Sequence, residues 1–319
     1  MNYLVQIAGG LVLLALGGEG VVRGAVGVAR RLGLSELLIG LTLVGFGTSA
    51  PELITSVKAA ISGSPGIALG NVMGSNIANA LLVFATVALI RPIRVNSKAI
   101  TRDGFVMIAA TFMLITMAFG LGNLPRSAGA VLIALLGLYI LVVWLLERRA
   151  SIGAQLPKQE SHPLERTPDA LWLSATLALG GLALLVFGAD LLVDGAIDLA
   201  RVAGMSETAI GLTIVAVGTS LPEFFATLAA ALKGRSDVAF GNIVGSNIYN
   251  ILGILGATAL VHPIAIPADV TLIDWGVLMG SATLLLLFAT TGKRVTRLEG
   301  AVLVSLYVAY VAHLLYAAR

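Results

Sequence analysis

Residues 40–93 read GLTLVGFGTSAPELITSVKAAISGSPGIALGNVMGSNIANALLVFATVALIRPI, an almost wholly apolar stretch that nevertheless holds a glutamate, Glu52. The stretch returns at residues 211–264 as GLTIVAVGTSLPEFFATLAAALKGRSDVAFGNIVGSNIYNILGILGATALVHPI, with Glu223 in the matching position. The offset is 171 residues without a gap, and 25 of the 54 aligned positions are identical. Self-similarity at a fixed offset identifies an internal repeat, so the chain is built from two related halves.

The same offset relates residues well outside these two stretches. Asp103 matches Asp274, and Tyr139 matches Tyr310. The repeating unit is therefore a whole half of the chain rather than a short motif.

The composition is that of a membrane protein. Hydrophobic residues make up 58% of the 319-residue chain and charged residues only 12%, whereas ordinary soluble domains have about 25% charged residues. Apolar runs of about 20 residues, the length that a helix needs to cross a bilayer, recur from end to end. The sequence therefore predicts an all-α integral membrane protein with no soluble face for nucleic acid. Because it has no cysteine, cysteine-ligated metal sites are excluded.

We predict ten transmembrane helices. Their ranges are 3–29, 35–62, 66–90, 100–121, 126–147, 169–200, 206–233, 237–261, 270–291 and 297–317. The polar segment 148–168 is a linker that separates a first half, 1–147, from a second half, 169–319. Since each half has an odd number of spans, the second half enters the membrane from the opposite side. This inverted-topology repeat is the architecture of many secondary transporters.

The basic residues predict the orientation of these spans. Fifteen Lys and Arg residues fall in the loops on one side of the predicted topology, and four fall on the other. We expect a multi-pass protein of the cell (inner) membrane. Because the side richer in Lys and Arg faces the cytoplasm, both termini are expected to lie outside and the central linker in the cytoplasm.

The repeated motif Gly-Thr-Ser-x-Pro-Glu predicts a break in spans two and seven. A proline removes one backbone hydrogen bond and clashes with the preceding turn. The carbonyls that it frees are tolerated in a membrane only where they face a cavity or an ion. We expect similar breaks in spans three and eight, at the motif Gly-Asn-x-x-Gly-Ser-Asn. Every donor atom in these motifs is oxygen, which suits hard cations such as Ca²⁺, Na⁺ or Mg²⁺ rather than zinc or copper.

Glu52 and Glu223 are the decisive residues of these motifs. Each carboxylate at the bilayer centre costs at least about 2.5–3.5 kcal/mol, and the motif-bearing spans hold no Lys or Arg except near their ends. The partner must then be mobile: one Ca²⁺ neutralises both glutamates, and several Na⁺ ions or protons can substitute. A protonated, purely structural glutamate is the alternative, but it does not explain two glutamates at equivalent repeat positions.

A second acidic pair, Glu19 and Asp190, lies late in spans one and six. Arg23 follows Glu19 by four residues, the spacing of an ion pair on one helix face. The pattern favours local pairing or an interfacial position, and a role in ion entry is the alternative.

The sequences GTSAPE…GNVMGSN and GTSLPE…GNIVGSN resemble the two alpha repeats of the cation/calcium antiporter superfamily, and within it the prokaryotic type of the sodium/calcium exchanger branch. The resemblance covers the whole chain. It implies that spans one and six slide across the other spans and expose a central site alternately to the two sides. It also implies a set of ion ligands: Glu52, Thr48, Ser49, Ser75, Asn79 and the carbonyl of Gly45, with their repeat mates Glu223, Thr219, Ser220, Ser246, Asn250 and the carbonyl of Ala216.

One departure from the family pattern concerns charge. Many relatives carry an aspartate at one of the positions that match Asn79 and Asn250, whereas this chain has asparagine at both. The predicted site therefore has two carboxylates, which leaves the coupling stoichiometry and any potassium dependence open.

The predicted function is secondary active antiport, not enzyme catalysis: cytoplasmic Ca²⁺ is extruded in exchange for Na⁺ by alternating access. No cofactor is expected beyond the transported ions, and no obligatory protein partner beyond the lipid bilayer. Exchange with protons or another cation at the same site is the alternative. A cation channel would need a continuous pore, which a duplicated, occluded site disfavours, and a membrane scaffold leaves the paired glutamates unexplained.

Overall fold

A computed structural model of the protein describes residues 3–32, 34, 36–61, 65–95, 100–153, 170–202, 218–267 and 270–317. Helices account for nearly all of this described part, and eight of them are long and apolar enough to cross a membrane. Of the other two predicted spans, 35–62 is described over residues 36–61, where the helix is interrupted. The span 206–233 is described only from residue 218 onward, because residues 206–217 lie outside the described residues.

The helices are numbered here in chain order. In the first half they are α1 (Tyr3–Leu32), α2 (36–48), α3 (Ala50–Ile61), α4 (65–90), α5 (100–121) and α6 (Arg126–Gly153). In the second half they are α7 (Leu171–Val202), α8 (Leu221–Leu232), α9 (Ser236–Val261), α10 (Leu272–Thr290) and α11 (Arg297–Ala317). The short strands are β1 (Ile93–Arg94), β2 (Asn123–Leu124), β3 (Ile264–Ala265) and β4 (Arg294–Val295).

The interruption predicted at each Pro-Glu pair is present. The helical path of α2 ends at Thr48, Ser49 forms a turn, and α3 starts at Ala50 with Pro51 in its first turn. In the second half, Thr219 and Ser220 form the turn before α8. Proline is accepted in the first turn of a helix, where its missing N–H would have no partner, so each break restarts a helix just before its glutamate.

The breaks predicted in spans three and eight are absent, and that prediction was wrong. α4 and α9 are continuous, and each contains one π-helical turn, Asn79–Phe84 and Asn250–Leu255. Neither span has a proline within it, and glycine alone permits a helix to continue. π-helical turns widen the helix locally and occur frequently at functional sites, and both turns here begin at a predicted ligand.

α4 and α9 form the centre of the molecule. Within their apolar windows 72% and 83% of residues are buried, against 11% for α11 and 28% for α6. Most side chains on α4 and α9 are therefore buried within the protein.

Contacts between the two halves are exchanged in matching pairs. Strand β1 pairs with β4, and β2 pairs with β3, both antiparallel. At the start of α6, Arg126 donates to the carbonyl of Leu260 at 3.1 Å. At the start of α11, its repeat mate Arg297 donates to the carbonyl of Leu89, also at 3.1 Å. The hydrogen bond that the first half donates to the second is thus matched by an equivalent bond that the second half donates to the first.

α1 and α7 pack along each other through glycines. A Cβ added at Gly181 would lie 2.5 Å from the backbone nitrogen of Val21, and one at Gly24 would lie 2.3 Å from that of Ala178. Backbones therefore touch at this interface, as small residues allow in membrane helices. The pair meets the other described helices chiefly through the contact of α1 with α8.

Candidate ion-binding site

Glu52 and Glu223 lie in the first turns of α3 and α8, the two helices that restart at the breaks. Both residues are fully buried. The N-terminus of a helix carries partial positive charge, which stabilises a nearby carboxylate. Ser49, the turn residue directly before α3, donates to the carboxylate of Glu223 at the start of α8. The two breaks thus bring the two acidic residues of the motifs into one buried site.

Hydroxyl and carbonyl groups from both halves surround these carboxylates. Ser49 Oγ donates to Glu223 Oε1 at 2.8 Å, although the two residues are 174 positions apart. The carbonyl of Gly45, which precedes the break in α2, accepts from Ser246 Oγ at 2.9 Å. Thr48 Oγ1 lies 3.3 Å from this same carbonyl. The Gly45 carbonyl also accepts from the main-chain N–H of Ser49 at 3.3 Å, so it is shared between its own helix and a hydroxyl of the opposite half.

The predicted ligands are for the most part buried together. Among them Thr48, Ser49, Glu52, Glu223, Ser246, Asn79 and Asn250 are wholly buried, and Ser75 and Ser220 nearly so. Thr219 is half-buried at its turn. Gly45 is buried as well. Ala216, the predicted carbonyl ligand of the second half, lies outside the described residues.

Six oxygen atoms of the predicted ligands are buried without a hydrogen-bond partner in the part of the chain that the structure describes. They are Glu52 Oε1 and Oε2, Glu223 Oε2, Asn79 Oδ1, Asn250 Oδ1 and Ser220 Oγ. A buried acceptor without a donor costs about 1–3 kcal/mol, and more when it is charged. Such a concentration of free acceptors in one place is what a cation binding in an oxygen cage would satisfy.

In the described part of the chain, the two carboxylates form no cluster with other acidic or metal-binding side chains. Among the described residues no group of three or more His, Cys, Asp or Glu is placed to hold a metal ion. The described part of the site holds two formal negative charges, accompanied by neutral oxygens. A donor set made of oxygen atoms suits hard cations.

Four further asparagines belong to the site although they were not predicted as ligands: Asn71, Asn76, Asn242 and Asn247. Asn242 Nδ2 donates to the Glu223 carbonyl at 3.1 Å and to Thr227 Oγ1 at 2.8 Å. Asn71 makes the matching pair of bonds in the first half, to the Glu52 carbonyl and Ser56. These bonds tie each restarted helix to α9 or α4. Their recurrence at the 171-residue offset is the sequence signal that marks them.

Glu19 lies outside this site. It forms an ion pair with Arg23, as the spacing predicted, and it also accepts from Lys233 Nζ at 2.5 Å. The repeat mate Asp190 is exposed on α7. The local pairing expected of Glu19 is therefore confirmed, and the bond to Lys233 additionally joins α1 to the end of α8.

Comparison with known proteins agrees with this architecture. The sequence model of the family described as "Sodium/calcium exchanger protein" matches residues 2–145 and 173–316. These two segments cover most of the chain and are themselves offset by 171 residues.

The chain belongs to the sodium/calcium exchanger family. It is similar to a solved structure of the sodium-calcium exchanger NCX_Mj, with a TM-score of 0.82 and 31% sequence identity over 98% of this chain and 100% of the other. It is 40% identical to the "Putative antiporter CaxA" of Alkalimonas amylolytica, over 94% of this chain and 95% of that protein. It is 34% identical to the "Sodium/calcium exchanger MaX1" of Methanosarcina acetivorans, over 99% of each. As a member of this family whose described residues include eight membrane-length helices, it is a multi-pass membrane protein.

Proposed function

We propose that this family member is a secondary active antiporter that exchanges Ca²⁺ for Na⁺ by alternating access. The observation that carries the proposal is the group of six buried, unpartnered oxygens around Glu52 and Glu223. A cation with an oxygen shell satisfies them at once, and one Ca²⁺ also neutralises both carboxylates. The names of its relatives MaX1 and NCX_Mj, both sodium/calcium exchangers, support the same pair of ions.

The ligands that we propose are drawn equally from the two halves. They are Thr48, Ser49, Glu52, Ser75, Asn79 and the Gly45 carbonyl, with Thr219, Ser220, Glu223, Ser246, Asn250 and the Ala216 carbonyl. Because the site lies between the halves, small rearrangements of one half against the other change which side reaches it. Alternating access at a repeat interface is the general mechanism of transporters built this way.

The proposed topology has ten spans in two inverted halves, 1–147 and 169–319, joined by the linker 148–168. The exchanged contacts support it, because each joins two segments that this topology places on the same side of the membrane. Strands β1 and β4 both fall in predicted cytoplasmic loops, and β2 and β3 both fall in outer loops. The distribution of Lys and Arg supports both termini outside and the linker in the cytoplasm of the cell (inner) membrane.

The direction of transport follows from the gradients rather than from the site. With high Na⁺ outside, Na⁺ entry extrudes cytoplasmic Ca²⁺. The proton is the competing coupling ion, because a carboxylate pair binds protons as well as cations.

The deciding experiment is ⁴⁵Ca²⁺ uptake into proteoliposomes containing the purified protein. Vesicles loaded with Na⁺ and diluted into Na⁺-free medium should accumulate Ca²⁺, and vesicles loaded with choline should not. A pH gradient of equal magnitude without Na⁺ should drive no uptake. Uptake driven by the pH gradient alone would replace Na⁺ by protons as the coupling ion, and unsaturable uptake without any gradient of a counter-ion would indicate a channel.

A further inference from the structure

Four buried asparagines meet where α4 and α9 cross, two from each half: Asn76, Asn79, Asn247 and Asn250. Asn76 Nδ2 donates to the main-chain carbonyl of Asn247 at 3.2 Å, and Asn247 Nδ2 donates to that of Asn76 at 3.4 Å. Asn79 Nδ2 donates to Asn247 Oδ1 at 3.1 Å, and Asn250 Nδ2 donates to Asn76 Oδ1 at 2.9 Å. The four side chains form one connected network.

The main chain determines the orientation of every amide in this network. A carbonyl can only accept, so the Asn76 and Asn247 side chains must present their NH₂ groups to the two carbonyls. Their Oδ1 atoms then face Asn250 and Asn79 and require a donor from each. Asn250 and Asn79 must therefore turn their own NH₂ groups inward, towards the network. Reversing any one amide would place an oxygen against another oxygen, or an NH₂ group against another NH₂ group, and a hydrogen bond would be lost.

The consequence is that the oxygens of Asn79 and Asn250 point out of the network. Both Oδ1 atoms are buried without a hydrogen-bond partner among the described residues. Each asparagine begins a π-helical turn, and these turns contact the restarted helices of the glutamates: Asn250–Leu255 meets α3, and Asn79–Phe84 meets α8. Each turn thereby brings the asparagine of one half to the helix that holds the glutamate of the other half: Asn250 to the helix of Glu52, and Asn79 to that of Glu223.

We propose that Asn76 and Asn247 are positioning residues that hold the carbonyl oxygens of Asn250 and Asn79 towards the transported cation. The inference rests on the proposed function, since it assigns these two residues a task at the same site. The arrangement is crossed: Asn76 acts on Asn250, and Asn247 acts on Asn79. Without this support either ligand amide can rotate and present NH₂ to the ion, and the partial positive charge of that group opposes cation binding.

The test is a pair of double-mutant cycles, read out as the Kd for ⁴⁵Ca²⁺ of the purified protein. Asn76→Leu keeps the size of the side chain but can neither accept nor donate. We expect it to raise the Kd about 3- to 10-fold, the effect of losing one hydrogen bond. In the background of Asn250→Ala the same change should have no further effect, because the group that Asn76 positions is gone. In the background of Asn79→Ala it should retain its full effect.

The mirror cycle gives an independent answer. Asn247→Leu should be silent in the background of Asn79→Ala and fully effective in that of Asn250→Ala. If a leucine variant does not yield a monodisperse protein, Asn76→Ser and Asn247→Ser, which shorten the side chain beyond reach of the partner amide, take its place. A merely structural role lowers the yield of folded protein equally in all backgrounds and leaves the Kd of the folded fraction unchanged, which would overturn the proposal.

Failure of this inference and failure of the proposed function give different results. If the wild type binds Ca²⁺ and Glu52→Gln weakens that binding, the site stands. Equal effects of Asn76→Leu in both backgrounds then refute the positioning role alone. If the wild type binds no Ca²⁺, or Glu52→Gln binds as the wild type does, the proposed site itself is refuted.

Discussion

At the scale of residues, the site is distinguished by acceptors that lack donors. Glu52 has neither carboxylate oxygen in a hydrogen bond among the described residues, whereas Glu223 accepts from Ser49 through Oε1. The repeat mate of that serine, Ser220, is buried, and its Oγ has no hydrogen-bond partner among the described residues. The two glutamates therefore differ in environment although their motifs match. In this conformation Glu52 offers both of its oxygens to an ion, while Glu223 offers one freely.

Removing either negative charge should abolish tight Ca²⁺ binding. Glu52→Gln and Glu223→Gln keep the side-chain shape, and loss of one member of a buried charge interaction costs about 2–5 kcal/mol, which is at least about a 30-fold loss of affinity. Na⁺-driven ⁴⁵Ca²⁺ uptake should fall to near background while the protein still inserts and purifies. Asp194→Asn, an exposed carboxylate on α7, is the matched control and should transport as the wild type does. Substantial uptake by either glutamine variant would contradict the site.

Protons should compete with Ca²⁺ at the same oxygens. A carboxylate that carries a proton loses its charge and one of its acceptor positions, so protonation and Ca²⁺ binding exclude each other. The apparent Ca²⁺ affinity should therefore weaken as the pH falls from neutral to mildly acidic, with little change in the maximal rate. Initial rates of uptake at several Ca²⁺ concentrations and pH values measure this. A Ca²⁺ affinity that does not change over this range would argue against direct ligation by the glutamates.

At the scale of elements, two devices shape the site. Proline breaks α2 from α3 at Ser49 and so places a helix N-terminus at the centre. Glycine lets α1 and α7 approach until their backbones touch. α1 and α7 pack closely on each other and contact few of the other described helices. They are therefore suited to move as one unit, as the family resemblance implies.

Glycine packing between α1 and α7 should be sensitive to a single methyl group. Gly181→Ala places a Cβ 2.5 Å from the backbone nitrogen of Val21, so the helices must separate, and overpacking of this kind costs about 1–3 kcal/mol. We expect a lower midpoint of thermal unfolding and slower transport. Gly180→Ala is the matched control, since its Cβ would meet nothing within 4 Å. Equal stability of the two variants would show that close packing of α1 on α7 is unimportant.

At the scale of the whole molecule, the contacts between the two halves occur in matching pairs, as expected of two approximately equivalent halves. Ribbons β1–β4 and β2–β3 tie the ends of the helices together across the halves. Under the proposed function, the ion site at the junction of the two halves is reached from one side or the other as the halves shift against each other.

Inversion of the halves can be tested by labelling. The chain has no cysteine, so Asn123→Cys and Arg294→Cys can be labelled selectively with an impermeant thiol reagent. The two residues are repeat mates in exposed positions. The proposed topology places residue 123 outside and residue 294 in the cytoplasm, so intact cells should label only the former, and permeabilised cells should label both. Labelling of both residues in intact cells would refute the inverted arrangement.

The charge of the site predicts how voltage acts on transport. With neutral Asn79 and Asn250, one Ca²⁺ neutralises the two carboxylates. The family resemblance implies three Na⁺ ions per Ca²⁺, which leaves the Na⁺-loaded site with about one positive charge. One charge moving through the membrane potential is worth about 2.3 kcal/mol per 100 mV, so an inside-negative potential should accelerate Ca²⁺ extrusion and carry an inward current. Reversal potentials at several Na⁺ and Ca²⁺ gradients measure the ratio, and exchange without current would show a two-to-one electroneutral cycle.

Much of this architecture could be predicted from the amino-acid sequence alone. Hydrophobic length and the scarcity of charge determined the membrane class, and the 171-residue repeat identified Glu52 and Glu223 as a pair. The prolines located both helix breaks, because the missing N–H acts within one turn of the chain. These features are local or periodic, and such features can be read from a sequence.

Only the tertiary structure decided which groups meet across the halves. Asn250 donates to Asn76 and Ser49 donates to Glu223, in both cases across 174 residues, and no local pattern specifies a partner so distant. No local motif predicted the π-helical turns that replaced two predicted breaks either. Ser49 and Ser220 also differ in their hydrogen bonds although they are repeat mates. Matching motifs predict equal environments, and the two sites differ because hydrogen bonds depend on how the halves are seated against each other.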